Sequence, residues 1–236
     1  MLPTPPKRWP NNAIPDWDGS VAGAWALQRE LARAVVLRDG FAKPLRTVAG
    51  FDVAFEERGT IARAGAVLLD AVTLQPLDTR IVRIATGMYI PGLLGFRQLP
   101  ALLEALAQLP QAPDLAFVVG HGIAHPRRLG LASHFGVVSG LPTIGVAKTT
   151  QLGTAAALHQ TRGAYTPLRE GQAQIGWVLR SKPGCNPLFV SPGHRVAMAS
   201  AAELVMRFVT TYRLPEPTRL VDPIASRHDR QRATAP

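Results

Sequence analysis

The run Leu115-Ala116-Phe117-Val118-Val119, closed by Gly120-His121-Gly122, decides the fold. Apolar residues in unbroken succession, with no polar position alternating between them, mark a strand buried on both faces. Such a strand belongs in the middle of a sheet that helices cover on two sides. Pro110 and Pro113 close the helical pattern that precedes it (Leu102, Leu103, Leu106 and Leu109, beyond Pro100), and Pro142–Ala147 repeats the buried-strand reading downstream.

Working outward, Thr47–Phe55, Ile61–Leu69 and Leu77–Ala85 are short, apolar or alternating, and separated by turn-like Glu57-Arg58-Gly59 and Gln75-Pro76. They read as an antiparallel meander. Ahead of them Val21, Trp25, Leu31 and Val35 share one face of an amphipathic helix over 20–39, with Asp18 or Ser20 as N-cap and Gly40 as its stop. A helical stretch near 128–138 follows the glycine-rich loop, and Ile175–Arg180 and Leu188–Val190 continue the sheet. A last helix is signalled by Ser200-Ala201-Ala202-Glu203, read as a capping box ahead of Leu204, Val205, Phe208 and Val209. A meander followed by alternating strand and helix gives an α/β class: one domain with a mixed sheet flanked by helices.

The 236 residues, 47% hydrophobic and 18% charged, suit a packed globular chain. No run reaches the roughly 18–20 apolar residues of a membrane span, and the opening residues hold no signal-peptide core. The expectation is a soluble, cytoplasmic and monomeric protein that meets no membrane. The single cysteine, Cys185, excludes an intramolecular disulfide and a multi-cysteine zinc cluster. Lys and Arg number 26 against 16 Asp and Glu, a net charge of +10, and a positive excess of that size points to a polyanionic partner. Residues 1–16, with five prolines, read as a flexible arm; 17–226 form the domain, and 227–236, with Arg227, Arg230 and Arg232, a basic disordered tail.

Asp52 is the first residue to break a local rule, because it sits in the middle of Val48-Ala49-Gly50-Phe51-Asp52-Val53-Ala54-Phe55. A carboxylate there is costly unless it is solvated, paired or metal-bound. Strand alternation could point it to solvent; Gly50, on the same face, instead reads as keeping that surface open for a site. The loop Gly120-His121-Gly122-Ile123-Ala124-His125-Pro126-Arg127-Arg128 leaves the carboxyl end of a buried strand, which is where open α/β sheets bind ligands. His121 and His125 have zinc-helix spacing, but H-E-x-x-H needs a Glu where Gly122 stands. The chain also lacks a G-x-S-x-G elbow, a P-loop and a G-x-G-x-x-G fingerprint, which removes serine hydrolase, nucleotide kinase and dinucleotide enzyme. Tyr89-Ile90-Pro91-Gly92 makes a stiff aromatic tip, either a packed turn or a wedge that unstacks bases. Lys148, closing a buried strand, suits a phosphate.

The order and spacing of Gly50–Phe55, Tyr89–Gly92, Phe96-Arg97-Gln98, Gly120–Gly130, Pro142–Lys148 and Gly193-His194-Arg195-Val196 resemble bacterial endonuclease V, from about Gln28 to Ser226. The resemblance implies a ribonuclease-H-like fold and a Mg²⁺-dependent enzyme, with Mn²⁺ able to substitute. Its substrate would be DNA or RNA containing inosine, or distorted nucleic acid, nicked on the 3′ side of the lesion. Carried onto this chain, the catalytic set is Asp52, Lys148, His125 and Asp222, with Asp52 as metal ligand. Nucleic acid would be held by Tyr89, Ile90, Pro91, Gly120, His125, Arg127, Arg128, Gly145 and Lys148.

Two departures touch the chemistry directly. The family's Phe-Arg-Glu reads Phe96-Arg97-Gln98, and its Val-Asp-Gly-His-Gly reads Val118-Val119-Gly120-His121-Gly122, so Gln98 and Val119 occupy lost carboxylate positions. Gln98 keeps a neutral carbonyl oxygen, and Val119 offers no ligand atom. The proline before the wedge tyrosine is missing as well, the sequence running Gly87-Met88-Tyr89. Asp114 stands roughly 16 Å upstream of Val119 at strand rise, too far to substitute, and Glu56 and Glu57 would need a rearrangement. The resulting expectation is retained recognition with weak or lost cleavage. The alternative is an active Mg²⁺-dependent deoxyinosine endonuclease using Asp52 in a rearranged metal site.

Overall fold

A computed structural model of the chain describes residues 20–86 and 93–226. The arm 1–16, the tail 227–236 and the Tyr89-Ile90-Pro91 tip lie outside the described residues. Helix α1 covers Val21–Arg33, strand β1 Thr47–Glu56, β2 Ile61–Asp70 and β3 Pro76–Ala85. Helix α2 covers Leu94–Ala107, β4 Leu115–Val119, α3 Leu131–Ser139 and β5 Thr143–Ala147. Then come β6 Tyr165–Glu170, β7 Ala173–Leu179, β8 Leu188–His194, α4 Met198–Arg207 and α5 Glu216–Ser226.

Among the described residues, eight strands form one mixed sheet in the order β3-β2-β1-β4-β5-β8-β7-β6. The meander β1-β2-β3 is antiparallel, β4 lies parallel between β1 and β5, and the remaining pairs are antiparallel. Period-two alternation divides the strand side chains between two cores. Phe51, Val53, Ala116 and Val118 face Leu99, Leu102, Leu106 and Phe135 of α2 and α3. Val48, Phe117, Ile144, Val146 and Val190 face Val205, Phe208 and Val221 of the other layer. Both faces of Leu115–Val119 are thus covered, as its unbroken apolar run requires.

Several sequence expectations are corrected. Helix α1 ends at Arg33 rather than 39, because the segment after it joins the end of β8: Val36 donates to His194 Nδ1, and Gly40 donates to the Arg195 carbonyl. Its buried face carries Ala24, Leu27 and Gln28, whereas Val21 and Trp25 are exposed. Ser20 does cap it, accepting from the Gly23 amide at 2.9 Å. Helix α2 starts at Leu94 and runs through Pro100; burial of Phe96, Leu99, Leu102 and Leu106 outweighs the backbone bond that proline removes. Helix α3 begins at Leu131 rather than near 128. The capping box at Ser200 is not formed: α4 begins at Met198, and Asp39 satisfies its start from a distance, accepting from the Ala197 amide and from the Ser200 hydroxyl. Strand β6 and helix α5 are additions, each containing prolines (Pro167; Pro217 and Pro223) that lower their local signal.

Gly50 does not keep a surface open. A Cβ there would lie 1.9 Å from the Pro217 carbonyl oxygen, and at Gly65 on β2 it would lie 2.9 Å from a Val221 methyl. These glycines let α5 lie directly on the meander. Gly50→Ala is therefore expected to destabilise the protein by at least about 2 kcal/mol, since backbone meets the added methyl. Urea denaturation reads this as a lowered midpoint at unchanged slope; a wild-type midpoint would contradict the packing.

Candidate nucleic-acid site at the end of the central strands

The carboxyl ends of β1, β4 and β5 open toward the same side of the sheet, because β4 runs parallel to both neighbours. Phe51 pairs with Val118, so Asp52 and Val119 follow one step later on the opposite face, the one α5 covers. Asp52 is half-buried, and one of its oxygens accepts from the Val53 amide at 2.8 Å. Lys148 stands one residue past the end of β5 and reaches Asp222 on α5, Nζ to Oδ1 at 2.6 Å. Burial pushes the Asp52 carboxyl up to about 7; the Asp222 charge raises it further, while the Val53 amide and the Lys148 ammonium oppose the rise. Asp52, Lys148 and Asp222, far apart in sequence, thus share one electrostatic environment.

A cavity of about 260 Å³ opens beside them, lined by residues that include Gln98, Val119, Gly120, His121 and His125. The loop after β4 forms its wall by pressing onto β5: a Cβ at Gly145 would lie 2.4 Å from the Gly122 nitrogen. Ser191 on β8 fixes the same loop by accepting from the Gly122 amide at 2.7 Å. Burial lowers His125 to about 4, helped by the cations of Arg127 and Arg128, so the ring is neutral near pH 7. Its Nδ1 accepts from the Arg127 amide at 3.2 Å, which leaves the proton on Nε2. Burial lowers His121 too, against a hydrogen bond with the Thr149 backbone. Arg128 bonds Glu170 and the His125 carbonyl.

The structure therefore brings Gln98, Val119, Gly120 and His125 together around the cavity, and Asp52, Lys148 and Asp222 together in a charged cluster where β1 and β5 meet α5. Gly145 lies beneath the loop, and Arg127 and Arg128 flank it. Sequence reasoning assigned no role to Gln28, a buried polar side chain on α1 that lines the cavity and bonds Arg127. The available signal was a glutamine on the apolar face of a helix.

A family model described as Endonuclease V matches residues 29–223. The chain belongs to the Endonuclease V family. It is 62% identical over 219 residues to Endonuclease V of Azotobacter vinelandii, covering 92% of this chain and 99% of the relative. The crystal structure of Endonuclease V from Streptomyces avermitilis superposes with a TM-score of 0.85 at 40% identity, covering 93% of this chain and 96% of that one. Endonuclease V of Ciona intestinalis, in complex with a 24mer DNA containing an inosine followed by a ribo-adenosine, matches with a TM-score of 0.74 at 25% identity over 88% of this chain and 97% of its own. The fold is the ribonuclease-H-like one expected, and the family is generally Mg²⁺-dependent.

The residues present do not fit a firmly held divalent ion. Mg²⁺ wants anionic oxygens; here Asp222 is engaged by Lys148, Gln98 is neutral and Val119 has no donor. Among the described residues no three His, Cys, Asp or Glu side chains group to hold a metal ion. Glu56 does not make up the loss, being bridged by Arg63 and Arg83, and Asp114 accepts from the Arg46 and Thr47 amides at the far end of β1.

The raised Asp52 value sets a pH dependence. The folded protein keeps a proton between about pH 4 and 7 that the unfolded chain, with the ordinary 3.8, has released. The stability linked to this group is complete below about pH 4 and is lost as pH rises through 7. In EDTA, Asp52→Asn is expected to raise the urea midpoint at pH 8 and to leave it nearly unchanged at pH 4. Parallel wild-type and variant profiles across that range would contradict the assignment.

Proposed function

We propose that this member of the Endonuclease V family recognises inosine-containing DNA or RNA in nucleic-acid repair and cleaves it weakly or not at all. The observation that carries this reading is the split within one site. The cavity side keeps its glycine-rich wall and neutral His125, while the two positions where the resemblance puts carboxylates hold Gln98 and Val119. Divalent metal binding is weakened on this reading, because only Asp52 and Asp222 remain as acids and one of them is held by Lys148. Asp52, Lys148, His125 and Asp222 are the remaining catalytic set. Gly120, His125 and Gly145 border the base, and Arg127, Arg128 and Lys148 meet the strand, with Tyr89, Ile90 and Pro91 as the wedge. The net charge of +10 supports a polyanionic partner, and the Ciona intestinalis relative was crystallised on inosine-containing DNA. A cytoplasmic setting accords with the single cysteine; among the described residues no helix is long and apolar enough to cross a membrane.

The test is a paired assay on an inosine oligonucleotide with Mg²⁺ or Mn²⁺, comparing wild type with Q98E/V119D. The wild type is expected to bind inosine in preference to adenine, with affinity falling steeply as salt rises because phosphate contacts release counterions. It is expected to leave the strand intact where the double variant nicks it. Wild-type nicking as fast as that of Q98E/V119D would favour the active enzyme with a rearranged metal site, and equal affinity for inosine and adenine would remove specific recognition.

A further inference from the structure

Trp25 is the anomaly of the first helix. Its apolar spacing with Val21 and Leu31 marks it for the core, yet it is 42% exposed, and Ala24, Leu27 and Gln28 take the buried face instead. Positions 25 and 28 are neighbours on a helix surface, so the indole lies beside the side chain that walls the cavity. Gln28, only 2% exposed, accepts from Nε of Arg127, and the Arg127 guanidinium lies over the Trp25 ring at 5.6 Å from its centroid. That distance is within cation–π range. Arg127 is also anchored through its amide to His125 Nδ1. A chain of contacts therefore runs from the cavity wall, through Gln28 and Arg127, to an indole facing solvent. Arg29, the next residue along α1 from Gln28, adds a second guanidinium whose charge is felt at Arg127.

We propose that Trp25 and Arg127 form a nucleotide subsite at the mouth of the cavity: an unpaired base adjoining the one in the cavity stacks on the indole, and its phosphate meets Arg127 and Arg29. The proposal rests on the nucleic-acid reading above and adds the residues that hold the neighbouring nucleotide. The chemistry matches on three counts. An exposed indole offers a π-face that any base can use, which makes the contact tolerant of sequence. A guanidinium already in the stack adds its plane and its charge, as in single-strand recognition. Two guanidiniums beside one aromatic suit a base joined to a phosphate better than they suit a neutral or cationic ligand.

The experiment measures binding of a fluorescent single-stranded DNA with one inosine to wild type, W25A and W25F. The same strand is then used with an abasic residue at each position flanking the inosine in turn. W25A is expected to bind about 5- to 100-fold more weakly, the range for loss of one base stack, and W25F to recover most of that. The W25A penalty is expected to vanish on the one strand that lacks the stacked base. Wild-type affinity in W25A, or a penalty of equal size on every abasic strand, would overturn the subsite, the second outcome marking a merely structural role. A wild type that binds inosine and adenine strands equally but still shows the position-dependent Trp25 effect would overturn inosine recognition alone. Absence of wild-type binding to any strand would overturn both.

Discussion

The arrangement at the sheet end depends on one close approach. The Pro217 carbonyl of α5 sits where a side chain on residue 50 of β1 would stand, and Val221 sits against Gly65 of β2. Side chains at these places would lift the helix off the sheet and move Asp222 with it. Seated as it is, α5 brings Asp222 to Lys148 at the end of β5 and puts both within electrostatic reach of Asp52. A backbone contact on one strand thereby sets the charge environment of a side chain two residues farther along the same strand.

That environment favours a different balance from that of a cation site. Asp52 is raised by burial and by Asp222, and the Lys148 ammonium supplies the positive charge that both acids feel. The cavity wall is built from different elements: Gly122 bonded to Ser191, the loop pressed onto Gly145, and a neutral His125. The cavity wall and the acid cluster thus rest on different contacts, so a substitution in one need not disturb the other.

Much of the fold was legible because it rests on period and burial. Leu115–Val119 and the meander announce themselves through runs and alternation, and their bounds lie within a residue or two of expectation. What escaped was settled by distant partners. The stop of α1 depends on His194 and Arg195, and the start of α4 on Asp39, none of them adjacent in sequence. Gly50 was read as space and proved to be a seat for a helix that its prolines concealed. At the site, the loop residues and Lys148 were legible from their place at strand ends, Asp52 as a charge in the middle of an apolar strand, and Asp222 through the family resemblance. The Lys148–Asp222 pair belongs to tertiary packing alone, and Gln28 had only the faint signal of a polar residue on an apolar helix face.

The central claim is that the acids left at the sheet end no longer form a cation site. Mn²⁺ titration followed by electron paramagnetic resonance tests it most directly, because it counts bound ions without requiring turnover. Wild-type protein is expected to leave Mn²⁺ free at concentrations where Q98E/V119D binds it. Mn²⁺ bound by the wild type as tightly as by Q98E/V119D would contradict the account.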